Sequence, residues 1–162
     1  MGEEDKLDIE IRSLLTSQKF GVLSTQEKDH PYLSLVAFAE TTDLRTILFA
    51  TTRTTRKFKN ISSRAGVALL VDNRSNEAAD IHEAMAITAV GTACEISQLL
   101  REKLNRVYLE KQPYMREFLS SPSTALVKID VENYLLVRHF QKVAILNLPS
   151  LPRSDNGNAD GQ

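Results

Sequence analysis

Over residues 5–18 the apolar residues Leu7, Ile11, Leu14 and Leu15 recur at helical spacing, Ile9 falls off that stripe, and charges fill much of the rest. This pattern predicts an amphipathic helix packed on a sheet. The period then changes. Residues 20–25, 32–39 and 46–51 are β-rich runs separated by polar turns at 26–31 and 40–44. Connections this short join antiparallel neighbours, because a parallel crossover needs about a dozen residues or more. The front half therefore reads as a β-meander.

Residues 53–63 are polar and basic, with Phe58 and Ile61 three apart, which predicts a short helix leaving the third strand. Residues 65–71 are almost wholly apolar and read as a buried strand. A polar loop over 72–80 opens on Asp72-Asn-Arg-Ser-Asn76, rich in turn formers, and 84–95 resume β character around Gly91. Ser97 is a good N-cap for a helix to about Lys111, with Leu99, Leu100, Leu104 and Val107 as its apolar stripe. Gln112-Pro113 ends it, and a further helical turn or two is expected over 114–120. Residues 123–130 and 134–146 read as the last two strands.

No repeat of fixed period and no regular strand–helix alternation occur, which argues against a doubly wound fold. The expectation is a mainly β protein, a six- to seven-stranded antiparallel barrel with helices plugging its ends. It occupies one domain over residues 1–149. A tail over 150–162, rich in Pro, Ser, Asn, Asp and Gly, is expected to be disordered.

Composition narrows the function. The 162 residues, 42% hydrophobic and 25% charged, suffice for one domain with a substantial core. Lys plus Arg number 20 against 21 for Asp plus Glu, so no global charge draws the chain onto nucleic acid or an anionic membrane. Any basic function is local. The single cysteine, Cys94, excludes an intramolecular disulfide and a Cys-based structural zinc site, and suits a reducing cytoplasm. It lies in a strand-like apolar context and is expected in the core. No run approaches the roughly 18 apolar residues of a membrane span, and Met1-Gly-Glu-Glu-Asp-Lys6 lacks the apolar core of a signal peptide.

The chemistry concentrates in Phe49-Ala-Thr-Thr-Arg-Thr-Thr-Arg-Lys-Phe-Lys-Asn60, where a strand ends in four threonines and runs into Arg53, Arg56, Lys57 and Lys59. A phosphate monoester needs several donors converging from one side and at least one full positive charge. Hydroxyls at a strand end, two adjacent cations and the N–H groups of a helix start supply them. Spacing alone equally fits a solvated basic helix closing a strand, since phosphate-loop glycines are absent. Elsewhere, His82-Glu83-Ala-Met-Ala86 begins like a zinc-protease motif, but Ala86 replaces the second ligand. His82 is expected to cap its loop, meet a partner subunit or lie at the edge of a bound cofactor, and His30 and His139 are expected at the surface or at strand ends.

The segment 49–71 resembles the FMN-binding core of the pyridoxamine 5′-phosphate oxidase family, whose pattern runs aromatic, aromatic, Thr, three residues, then Ser-Arg-Lys. Phe49 and Thr51 match, Thr55 stands for the Ser, Arg56-Lys57 match the cationic pair, and Gly66-Val-Ala-Leu-Leu-Val71 follows without a gap. Looser resemblance runs from about Gln18 to Arg138. It implies a split barrel, FMN held by Ala50, Thr51, Thr55, Arg56 and Lys57, and the flavin ring beside the main chain of Ser34, Leu35 and Val36. It also implies a homodimer with the flavin between subunits. The departures point away from the oxidase's own substrate. Ala39 stands where the oxidase has a cation, Gln112 replaces Arg in its Tyr-x-x-x-Arg-Pro motif at Tyr108–Pro113, and Arg116 replaces a serine. Ala86 stands for a flavin-contacting Gln, and of the C-terminal Arg-Leu-His-Asp-Arg only Arg138-His139 echoes.

The expected function is that of an FMN-dependent oxidoreductase acting on a small molecule, with no metal, nucleic-acid or membrane partner and a cytoplasmic location. The flavin carries the redox chemistry, and no acid–base pair stands out in the chain. A non-catalytic flavin or haem carrier, with His139 as the haem ligand, uses the same fold, and the deazaflavin F420 could place its phosphate in the same cradle. A nucleic-acid contact through residues 53–59 is the third reading, and it would weaken steeply with salt.

Overall fold

A computed structural model describes residues 1–150 of the chain, so the tail expected at 150–162 lies, apart from Ser150, outside the described residues. Helix α1 (Glu3–Ser17) turns Leu7, Ile11, Leu14 and Leu15 into the core, as its spacing predicts. Strands β1 (Phe20–Glu27), β2 (His30–Glu40) and β3 (Thr46–Thr52) form the expected meander. Helix α2 (Arg56–Ser63) then leads to β4 (Gly66–Asp72), which pairs with β1 on its other edge. A short turn of helix, α3 (Asp80–Glu83), precedes β5 (Met85–Glu95). Helix α4 (Gln98–Lys111), a 3-10 turn over Pro113–Met115 and α5 (Arg116–Ser120) lead to β6 (Thr124–Arg138) and β7 (Lys142–Asn147).

The strands run β3-β2-β1-β4-β5-β6-β7, and β6 also pairs with β3. Six strands thus close an antiparallel barrel, and β7 hangs on β6 outside it. The core is inside the barrel, where Leu23, Phe38, Ile47, Phe49, Leu69, Ile87, Val127 and Tyr134 meet under α1. Among the described residues no helix is long and apolar enough to cross a membrane.

The last two strands differ from expectation. Residues 123–130 and 134–146 do not form separate strands, because β6 is continuous for 15 residues and the chain reverses at 139–141 instead. Val131-Glu132-Asn133, which read as a break, sit in a bulge: Val90 faces Asn133 and Gly91 faces Val131, leaving Glu132 extra. The real reversal uses His139 and Phe140 at φ 50 and 57, residue types that carry no turn signal.

The bulge explains Gly91. A Cβ there would lie 2.1 Å from the carbonyl oxygen of Asp130, so only glycine lets β6 approach this closely. Gly91→Ala is expected to lower stability by about 1–3 kcal/mol, the usual range for forced overpacking. Urea denaturation would show a lower midpoint at unchanged slope, and a wild-type midpoint would mean that the two strands part here without cost.

Half of the α4 stripe is also corrected. Leu99 is 94% exposed and Leu100 47%, and Ser97 sits at the N-cap position without a side-chain cap bond. Leu104 and Val107 do pack, partly buried, on the cluster around Tyr108, and beside them the helix meets the barrel with polar side chains. Arg101 donates to the Thr124 carbonyl at 3.0 Å, Tyr108 to Ala37 at 3.1 Å, and Lys111 to Leu15 at 2.7 Å. Gln112 donates to Lys19 and Phe38 at 2.8 Å each. The helix covers a place where strands and α1 end, and bare carbonyls there need donors. A rule that looks for leucines cannot see this. Lys111 additionally pairs with Glu40 and sits 4.0 Å from the Phe38 ring centroid. Burial lowers its pKa more than the Glu40 carboxylate restores it.

Cys94 is exposed, not in the core. The strand alternates with Ile87, Ala89, Gly91 and Ala93 inward, which turns Cys94 out on the side of its cross-strand neighbour Lys128.

The outer face of the sheet is unusual for a barrel wall. The cross-strand neighbours Leu35, Val22, Leu70, Thr88, Leu135 and Ile145 form one outward row across six strands, apolar at every position but Thr88. Leu35 and Ile145, at its ends, are 69% and 56% exposed. Phe20, Leu33 and Val143 flank the row and are exposed too. The apolar run at 65–71 therefore has two explanations at once: Val67, Leu69 and Val71 fill the barrel, while Ala68 and Leu70 face outward.

Candidate functional site

The barrel is split between β2 and β3. These strands share only three rungs, Phe38–Phe49, Ala39–Leu48 and Glu40–Ile47. Beyond Phe38, β2 runs back to His30 paired to β1 alone, and Ala50–Thr52 of β3 pair only with β6. A cleft with two free strand edges results. At its apex Tyr108 from α4, fully buried, donates to the carbonyl of Ala37 where the next rung would stand. Burial pushes its phenol up to about 12, which the adjacent N–H of Ala50 only partly offsets. It is a fixed hydrogen-bond donor at any ordinary pH.

One wall of the cleft is the end of β3 and the start of α2. Thr55 caps the helix: its hydroxyl accepts from the N–H of Phe58 at 3.4 Å and donates to the Thr52 carbonyl at 3.0 Å. The Thr51 hydroxyl lies 2.8 Å from that of Thr55, and Thr51 is buried. Arg56 and Lys57 are the first two residues of the helix, where backbone N–H groups have no intrahelical acceptor. The structure thus brings Thr51, Thr55, Arg56 and Lys57 to one place.

One other member of the basic run is not in the cradle. Arg53 precedes the helix, pairs with Glu95 and donates to the Pro122 carbonyl at 2.7 Å. The Glu95 carboxylate raises its pKa. The helix starts at Arg56 instead of 53 because a turn closed by Thr55 N–H on the Thr52 carbonyl intervenes. Thr52 and Thr54 bond each other, at 3.4 Å, away from the Thr51–Thr55 pair.

The opposite wall is β2. Its carbonyl at Ala37 faces the split, so by alternation the N–H and C=O of Leu35 face it as well, while those of Ser34 and Val36 turn to β1. The Leu35 side chain points to the outer face and Val36 is buried in the core. The Ser34 hydroxyl is buried without a hydrogen-bond partner among the described residues. An orphaned buried hydroxyl costs free energy unless something satisfies it.

Sequence reasoning missed Tyr32 and Glu27. The Arg56 guanidinium lies 5.2 Å from the Tyr32 ring centroid, and its Nε is 3.6 Å from the Glu27 carboxylate. Both neighbours belong to the β1–β2 hairpin, some thirty residues earlier, and no local pattern announces the meeting. Tyr108 and Gln112 were noticed, but their side chains are bound to main-chain carbonyls. Ala39, where the oxidase has a cation, is buried in the cluster around Tyr108. His139 and His82 are brought together, with Nδ1 of His139 2.6 Å from the His82 carbonyl, and His30 is exposed at the start of β2.

Comparison with known proteins agrees with this architecture. A haem-binding protein from Mycobacterium smegmatis superposes with a TM-score of 0.76 at 13% identity, over 85% of this chain. The chain spans only 56% of that protein's length. A Clostridium acetobutylicum protein related to general stress protein 26 gives 0.70 at 17% identity, over 91% of this chain and 97% of its own. A FAD-binding protein from Mesorhizobium loti gives 0.64 at 16% identity, over 80% and 90%. Identities this low show the shared fold alone. No curated protein sequence matches. The family model described as pyridoxamine 5′-phosphate oxidase matches residues 7–138, from the first core residue of α1 to the end of β6, and the chain belongs to that family.

Proposed function

We propose that the protein is an FMN-binding flavoprotein, an oxidoreductase of a small molecule that works as a homodimer with the cofactor between subunits. One observation carries the reading: the split sets a hydroxyl-and-cation cradle opposite an edge of β2 that no strand pairs among the described residues. Thr51, Thr55, Arg56 and Lys57 fit a phosphate dianion in charge and donor number. The main chain of Leu35 and the unpartnered Ser34 hydroxyl fit the polar rim of a planar ring held beside β2. Ala50 lies next to Tyr108 at the cleft's apex. The flavin would supply hydride and electron transfer, and this chain's residues would anchor the phosphate, orient the ring and limit water. The FAD-binding relative supports a flavin in this fold.

The outward apolar row supports the dimer, because an exposed band of this extent marks an interaction surface. A substrate other than pyridoxamine phosphate is supported by Gln112, whose amide bonds the Lys19 and Phe38 carbonyls in place of an arginine free to hold a second phosphate.

The visible spectrum of the freshly purified protein tests the cofactor. Oxidised-flavin bands are expected, whereas a Soret band would move the assignment to haem, as in the Mycobacterium smegmatis relative. Anaerobic mixing with NADH or NADPH tests the activity: bleaching followed by recolouring in air is expected of an oxidoreductase. A flavin that stays oxidised with both donors would make the protein a carrier.

A further inference from the structure

Arg56 is held from one side by two residues of the β1–β2 hairpin. The register places Tyr32 opposite Thr25, and Glu27 two residues beyond Thr25 on the same face of β1. Asn60, one turn after Arg56, donates to the Thr25 hydroxyl at 3.0 Å and ties α2 to this face. Arg56 then lies over Tyr32 and pairs with Glu27 through Nε at 3.6 Å, too long for a good hydrogen bond. Its two terminal nitrogens have no hydrogen-bond partner among the described residues. Glu27 is thus a counter-charge that touches Arg56 without saturating it.

We propose that Glu27 is an affinity-setting residue of the anion cradle: its carboxylate neutralises Arg56 when the cradle is empty and must yield the guanidinium to an incoming phosphate. The inference rests on the reading of Thr51, Thr55, Arg56 and Lys57 as that cradle. Arg56 and Lys57 together match a dianion, and a carboxylate beside them subtracts one charge and repels the ligand. Tyr32 acts differently. Its ring face attracts the cation without competing for the N–H donors, and keeps the side chain over the hairpin while the counter-charge exchanges. A weak, half-exposed pair suits this exchange, since a buried one would hold Arg56 against the ligand.

The test titrates flavin-stripped protein with FMN and, in parallel, with riboflavin, which lacks the phosphate, following flavin fluorescence. Glu27→Gln keeps the shape and removes the charge at a half-exposed position outside the core, so folding is not at stake. FMN is expected to bind about two- to fivefold more tightly than to wild type, the range of exposed ion pairs, with riboflavin unchanged. The same substitution in an Arg56→Ala background is expected to have a smaller effect, because only the direct repulsion between Glu27 and the phosphate is then left to relieve. Unchanged or weaker FMN binding to Glu27→Gln overturns the proposal, as does a gain that persists undiminished without Arg56. If Arg56→Ala and Lys57→Ala themselves leave FMN binding at the wild-type level, the cradle reading fails and this inference with it.

Discussion

Replacing Arg56 and Lys57 together by alanine is expected to weaken FMN binding by about 2–4 kcal/mol, roughly 30- to 1,000-fold, while the barrel stays folded. Both residues begin α2, and neither belongs to the barrel core. The helix keeps its own anchors: the Thr55 cap, buried Ile61 and the Asn60–Thr25 bond. Losing the two side chains removes both cations of the cradle. It leaves the Thr51 and Thr55 hydroxyls and the first N–H groups of the helix, so some affinity should survive. Isothermal titration with FMN measures the loss, and the unfolding midpoint checks the fold. Stoichiometric flavin in the double variant as purified would remove the phosphate from this end of the cleft.

The second large effect concerns the outer face. Leu70 stands in the middle of the outward row, between Val22 and Thr88. If two copies bury this face against each other, Leu70→Glu places two carboxylates in the joint. Each copy loses about 1.5–3 kcal/mol of leucine burial, and each charge must be desolvated or kept wet, so the dimer should dissociate at micromolar concentration. Leu70 is only half-exposed in one protomer, and Ile145→Glu, at a site 56% exposed, gives the same test where folding is indifferent to the charge. Sedimentation velocity is expected to show monomers for both variants and a dimer for wild type. Monomeric wild type, or dimers that withstand both substitutions, would place the interface elsewhere. Because the cleft is open in one protomer, FMN affinity should fall with the dimer.

The amino-acid sequence alone specified the meander, the helix that follows it and the position of the phosphate-binding candidates. Those features rest on local physics: short polar turns between β-rich runs, a Thr cap before a basic helix, and the 3.6-residue spacing of Leu7, Ile11, Leu14 and Leu15. Four further decisions belonged to tertiary structure, because each depends on what a segment meets. The bare carbonyls beneath α4 drew polar donors onto its packed side beside Leu104 and Val107, and left Leu99 and Leu100 exposed. The bulge at Gly91 absorbed Glu132 and joined what read as two strands into β6. The closed barrel took Ile87, Ala89, Gly91 and Ala93 of β5 as its inner face, which turned Cys94 outward. The partners of Arg56, Glu27 and Tyr32, come from a hairpin that only the closed barrel carries to α2. Periodicity reports which residues share a face, but it is silent on whether that face looks into a core, onto a strand end or towards another copy.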